Sequence, residues 1–174
     1  MSNLDNFEQN FFKAFDDYET AENEDTNFML LRSFLLATFE YFRHQNIAAK
    51  NVNDLNEKQK CHLRAKLPSI LRKFQKGKTL MDLTFSLEEK DIFDYLKFRS
   101  GIEFLTEHFV SFIDDPSEFN FYSLQDAFDP REYFLTYNYE DAYKNPYPTE
   151  PLPDHSGVPE SHWWWKKAEI HRIP

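Results

Sequence analysis

The chain has 174 residues and a formal net charge of −10, with 41% hydrophobic and 18% aromatic residues, among them 19 Phe and 9 Tyr. That is long and apolar enough for one folded domain with a Phe-rich core, and it excludes disorder along the whole length. Three Gly and one Cys exclude a Gly-rich phosphate loop or dinucleotide turn, an intramolecular disulfide and a multi-cysteine zinc site.

Residues 2 to 19 read as an amphipathic helix. Ser2 is a candidate N-cap with Asp5 three residues on, and Leu4, Phe7, Phe11, Phe15 and Tyr18 fall along one stripe. After the polar loop "ETAENEDT", Thr26 is a candidate cap for a second helix running to about residue 48. That helix carries Phe28, Leu31, Phe34, Leu35, Leu36, Phe39 and Phe42 with few charges on any side, the pattern of an element buried on most of its surface. It is expected at the centre of the core.

A basic helix is predicted from Asn53 or Asp54, kinked or restarted at Pro68 and ended by Gly77. Ser86 with Glu89 forms a capping box for another helix, which either runs past Gly101 to Asp114 or breaks at the glycine. Residues 117 to 144 read as mixed and mostly helical: "EFNFYSL" alternates like a short strand, whereas Asp129 and Pro130 suit a helix start. Residues 145 to 160 hold five of the nine prolines and read as an extended strap leading to Trp163, Trp164 and Trp165. The expected fold is mainly α, a single-domain bundle of about five to six helices. Residues 1–144 form its acidic helical domain, and 145–174 a Pro/Trp-rich C-terminal segment packed on it.

The tryptophans have two roles to fill. Large aromatics bury about 150 to 250 Å² each and can pin the strap to the body. In an extended segment, however, alternate side chains point to opposite faces, so Trp164 is expected to face away from its neighbours and to be available to a partner.

Catalytic and metal chemistry find little support. Glu40 with His44, and Glu103 with Glu107 and His108, have helical spacing, but the repeated Glu-x-x-His of a bundle di-iron site is missing and they read as surface pairs. No Gly-x-Ser-x-Gly occurs, and Cys61 beside His62 points in a different direction on a helix. Cys61 is expected to be a small core residue. The expectation is a protein that is not an enzyme, with no metal and no cofactor.

Charge is the most uneven feature. Residues 50 to 78 hold nine Lys or Arg against two acids, a balance of +7, which leaves −17 for the rest. Residues 103 to 154 hold twelve Asp or Glu against Arg131 and Lys144, and there the acids alternate with Phe and Tyr. Such a surface complements a basic cleft and repels nucleic acid. The basic helix is expected to face acidic parts of its own chain. The N-terminus shows no basic stretch followed by an apolar run, and no uncharged apolar run approaches 18 residues, so the expected location is the cytoplasm, without a membrane span.

With this Phe-rich acidic body and the stretch "GVPESHWWWKK", the chain resembles bacterial immunity proteins of polymorphic toxin systems, in particular those of contact-dependent growth inhibition. The resemblance implies a cytoplasmic inhibitor that forms a 1:1 complex with a cognate toxin C-terminal domain, commonly a nuclease and foremost an RNase. The charge pattern places the contact at Asp114, Asp115, Glu118, Asp126, Asp129, Glu132, Tyr133, Tyr137, Glu140 and Asp141, with Trp164 as an apolar addition. Two other readings remain: a DNA mimic that blocks a host enzyme, and a nucleic-acid-binding or regulatory module using the basic helix 50–78.

Overall fold

Helix α1 (Asn3–Thr20) buries Phe11, Phe15 and Tyr18, three aromatics at near-turn spacing, and its opposite face is polar. The computed structural model describes residues 3–21, 24–75, 92–109, 112–113 and 152–165. Among them are four α-helices, one 3-10 helix and no strand. The fold is mainly helical, as the spacing predicted.

Helix α2 (Glu24–Ile47) lies between α1 and α4 (Ile92–Phe109). Leu31, Phe34, Leu35, Thr38, Phe39, Tyr41 and Phe42 are all buried, which occupies more than one side of a helix. Toward α1, Phe11 stacks on Tyr41 at 5.0 Å and Tyr18 on Phe34 at 5.7 Å. Toward α4, Phe42 meets Phe104 at 5.5 Å and Phe109 at 5.4 Å. Burial pushes the Tyr18 and Tyr41 phenols above their ordinary range. Thr26 is not a cap but an internal residue of α2, which starts at Glu24.

The end of α2 is closed by a Schellman motif: Lys50 N donates to Gln45 O at 2.9 Å and Ala49 N to Asn46 O at 3.0 Å. Ala49 occupies the left-handed position at φ 53°, where a Cβ is unfavourable. Ala49→Gly is therefore expected to raise the unfolding free energy by about 0.5 to 1 kcal/mol, the relief of Cβ strain less the extra entropy of an unfolded glycine. Urea unfolding followed by circular dichroism checks it, and a loss of stability would contradict the strained assignment.

The basic segment starts later than its composition suggests. Asn51 and Asp54 close a capping box around a 3-10 helix, Val52–Asp54. A second reciprocal box follows, with Gln59 N donating to Asn56 Oδ1 and Asn56 N to Gln59 Oε1, both at 3.0 Å. Helix α3 (Glu57–Gln75) begins there and contains Pro68 without restarting. Proline removes one helical hydrogen bond, and the buried Leu63, Leu67, Ile70 and Leu71 on both sides of it pack as one stripe. Cys61 lies off that stripe and is exposed, so it is not a core residue.

Helix α4 continues through Gly101. A Cβ there would sit 2.6 Å from the Leu35 carbonyl oxygen, so the glycine sets how closely α4 crosses α2. The candidate caps Ser2 and Ser86 with Glu89, the stop at Gly77 and the mixed region 117–144 lie outside the described residues.

Candidate functional site

Among the described residues, polar and aromatic side chains converge where residues 152–165 lie against α2 and α4. Ser100, one residue before the close-crossing glycine, turns its fully buried hydroxyl toward this strap. Its Oγ lies 3.1 Å from Trp164 Nε1, 2.8 Å from Trp165 Nε1 and 3.1 Å from His162 Nδ1. An indole N–H only donates, so the two tryptophans fill the two lone pairs of the hydroxyl. The serine hydrogen is then directed to His162 Nδ1, which accepts it.

Aromatic packing surrounds this hub. Trp165 lies between Phe39 of α2 at 5.6 Å and His155 at 4.9 Å, nearly parallel to both. His162 stacks on Trp164 at 4.8 Å, and the Arg99 guanidinium lies 4.4 Å from the center of the Trp164 indole. Arg99 is paired with Glu103 at 2.7 Å.

The strap is also tied to the end of α2. Arg43 reaches Asp154 at 3.1 Å and Asn46 donates to Gly157 O at 2.8 Å. Two hydrogen bonds from Ser156, with Arg43 adding to them, hold the Asp154 carboxyl down at about 2. Gly157 has φ +82°, and a Cβ on it would meet the Arg43 carbonyl oxygen at 2.1 Å. Only glycine suits that position.

These contacts reverse one expectation. Trp164, predicted to face outward as a partner contact, is 1% exposed, beside Trp165 at 2%. The alternation argument assumed an extended backbone, whereas Val158 N bonds His155 O, His162 N bonds Pro159 O and Trp165 N bonds His162 O. These turns bring Trp164 and Trp165 to the same hydroxyl. Trp163 is the half-buried member, packed edge-on against Trp164 at 5.9 Å.

Ser100, His162 and Glu107 superficially match a nucleophile, a base and an acid, with His162 Nε2 3.6 Å from Glu107 Oε2. The chemistry does not follow. A nucleophilic serine needs a free lone pair and access to substrate, and both lone pairs of this buried oxygen accept indole protons. The site can anchor a segment; it cannot attack a carbonyl.

Helix α3 turns Lys66 and Lys73, together with His62, toward α1. His62 Nε2 and Lys66 Nζ approach Asp16 Oδ1 at 2.7 and 3.0 Å, and Lys66 also reaches Glu19 at 3.4 Å. The hydrogen bond to Asp16 holds the Lys66 ammonium above its ordinary range. Lys73 binds the carbonyl oxygens of Tyr18, Glu19 and Ala21 at 2.5 to 2.9 Å, placing a cation at the negative end of α1. Lys58 and Arg64 are exposed on the outer side, with Arg64 5.4 Å from the center of the Phe112 ring.

The helix-spaced acid and histidine pairs do not converge on a metal. Glu40 binds Arg43 at 2.7 Å, and His44 stacks on Phe7 at 3.8 Å. Among the described residues no group of three or more His, Cys, Asp or Glu could hold a metal ion. No helix there is long and apolar enough to cross a membrane. Asp114, Asp115, Glu118, Asp126, Asp129, Glu132, Tyr133, Tyr137, Glu140 and Asp141 lie outside the described residues.

No protein-family model, curated protein or solved structure matches the chain.

Proposed function

We propose that the protein is a non-catalytic inhibitor that captures a basic partner, a toxin nuclease domain of the kind neutralised by bacterial immunity proteins, in a 1:1 complex in the cytoplasm. The observation that carries this reading is the division of charge: +7 in residues 50–78 against −10 in residues 103–154. Two cations of the positive half, Lys66 and Lys73, are engaged with α1, at Asp16, Glu19 and the α1 carboxyl end. A nuclease presents a basic cleft because its substrate is a polyanion, and an acidic, tyrosine-rich stretch is complementary to it in charge and in contact chemistry. Opposite fields also hasten capture.

The test is co-expression with candidate toxin domains from the source strain, scored for growth rescue and co-purification. For a complex so found, replacing Asp114, Asp115, Glu118 and Asp126 with Asn or Gln is expected to slow association by roughly tenfold and to flatten its salt dependence. Unchanged kinetics would move the contact elsewhere. RNA or DNA affinity at physiological salt, with no toxin complex, would replace the proposal by binding through the outer side of α3.

A further inference from the structure

The Ser100 junction contains an arrangement that its anchoring role does not require. His162 has a side chain with 0% exposure, and its Nε2 faces Glu107 at 3.6 Å with no hydrogen-bond partner. The next residue of α4, His108, is half-buried and stacked on Phe42 at 4.6 Å, and its buried Nε2 likewise has none. Two imidazoles thus share one nearby carboxylate. Glu107 is itself held to the strap by the Ser161 hydroxyl at 3.3 Å.

We propose that the strap is a proton-sensitive latch, in which protonation of His162 releases Trp164 and Trp165 from α4. The reason is a count of donors and acceptors. With neutral His162, the Ser100 hydroxyl accepts two indole protons and donates one, so its own donor and acceptors are matched, while the His162 Nε2 side is left facing Glu107 at 3.6 Å. A proton on Nδ1 brings a third donor to an oxygen with two lone pairs and leaves the serine hydrogen without an acceptor in a site closed to water. A partly satisfied buried network is costly, and moving the strap relieves it.

Among the described residues, the charge that opposes that cost is the Glu107 carboxylate on α4, 3.6 Å from His162 Nε2. On α4, Arg99 and Glu103 form their own pair beneath Trp164. On α2, Arg43 is held between Glu40 and the strap's Asp154. The strap itself contributes His155, stacked on Trp165, and exposed Glu160. His108 draws on the same Glu107 charge, which divides what that carboxylate offers to either imidazole.

The neighbours set the direction with pH. Burial holds the His108 imidazole below its ordinary range. Its contribution to stability is complete above the unfolded imidazole value and is lost as pH falls toward the folded one. Burial alone would raise the Glu107 carboxyl, but His162, His108 and the Ser161 hydroxyl outweigh it and hold it below the usual range. Its contribution is present above the unfolded carboxylate value and is lost only at lower pH.

All three tryptophans of the chain lie on this strap, so intrinsic fluorescence reports it directly. The full chain is titrated from about pH 8 to about pH 5, across the imidazole range, by emission maximum and far-ultraviolet circular dichroism. A reversible red shift with helical signal retained is expected. In His162→Asn, whose side chain can meet Ser100 without titrating, the shift is expected to vanish, and in His108→Asn to persist. A wild-type emission that is constant over the range overturns the latch, as does the same transition in His162→Asn or its loss in His108→Asn. If His162→Asn fails to dock at neutral pH, histidine proton NMR of the wild type decides. His162 titrating in step with the emission supports the latch, and His155 or His108 doing so while His162 stays neutral overturns it.

Discussion

Replacing Gly101 with alanine is expected to lower the stability of the protein by about 2 to 4 kcal/mol. In an isolated helix the same change is worth about 1 kcal/mol in the other direction, because alanine is the better helix former. Tertiary contact reverses the sign here. The added Cβ would lie 2.6 Å from the Leu35 carbonyl oxygen and 3.5 Å from the Leu35 Cα. These are backbone atoms of a buried helix, so no rotamer change can move them away. α4 must shift from α2, and the shift passes to Phe104 and Phe109, which pack on Phe42, and to the adjacent Ser100. Urea unfolding monitored by circular dichroism measures the effect. A variant as stable as the parent would mean that the two helices can separate without loss of packing.

Much of this framework is readable from residue spacing, because helix-forming stripes are local. Phe11, Phe15 and Tyr18 define the buried face of α1 by position alone, and the continuous apolar character of 28 to 42 marks α2 as central. The start of α3 is also legible, because Asn56 and Gln59 have capping-box spacing just ahead of the lysines that dominate the composition of the segment. Pro68 misleads because a proline costs one hydrogen bond, and the packing of four leucine and isoleucine side chains exceeds that loss.

The strap was legible only in outline. Proline density and three tryptophans indicate an anchored segment, but which indole is buried depends on three backbone turns and on a serine more than 60 positions away. Lys73 is a similar case, since its partners at the end of α1 are more than 50 residues distant. The one local hint was Ser100 beside Gly101 in an apolar helix, "FRSGIEF". A small polar residue in such a setting needs a buried partner, and the tryptophans supply the donors.

That hub gives the other large effect expected. Ser100→Ala removes one oxygen and leaves two indole N–H groups and the His162 Nδ1 without partners in a buried site. Each unsatisfied group costs about 1 to 3 kcal/mol, and partial relaxation of the strap brings the expected loss to about 3 to 5 kcal/mol in all. Tryptophan emission should shift to the red at neutral pH, with less change in helical signal than in emission. A simple loss of volume predicts much less, because the substitution deletes no carbon. The two explanations separate in a double-mutant cycle with Trp165→Phe, which keeps an aromatic ring against Phe39 and His155 but removes the N–H. If Ser100 acts as a shared acceptor, Trp165→Phe costs about 1 to 2 kcal/mol less in the alanine background than in the parent, since no donor is then left stranded. Additive losses would show that the hydroxyl and the indole act independently, and the strap would then be held by ring packing and by its ties to Arg43 and Asn46.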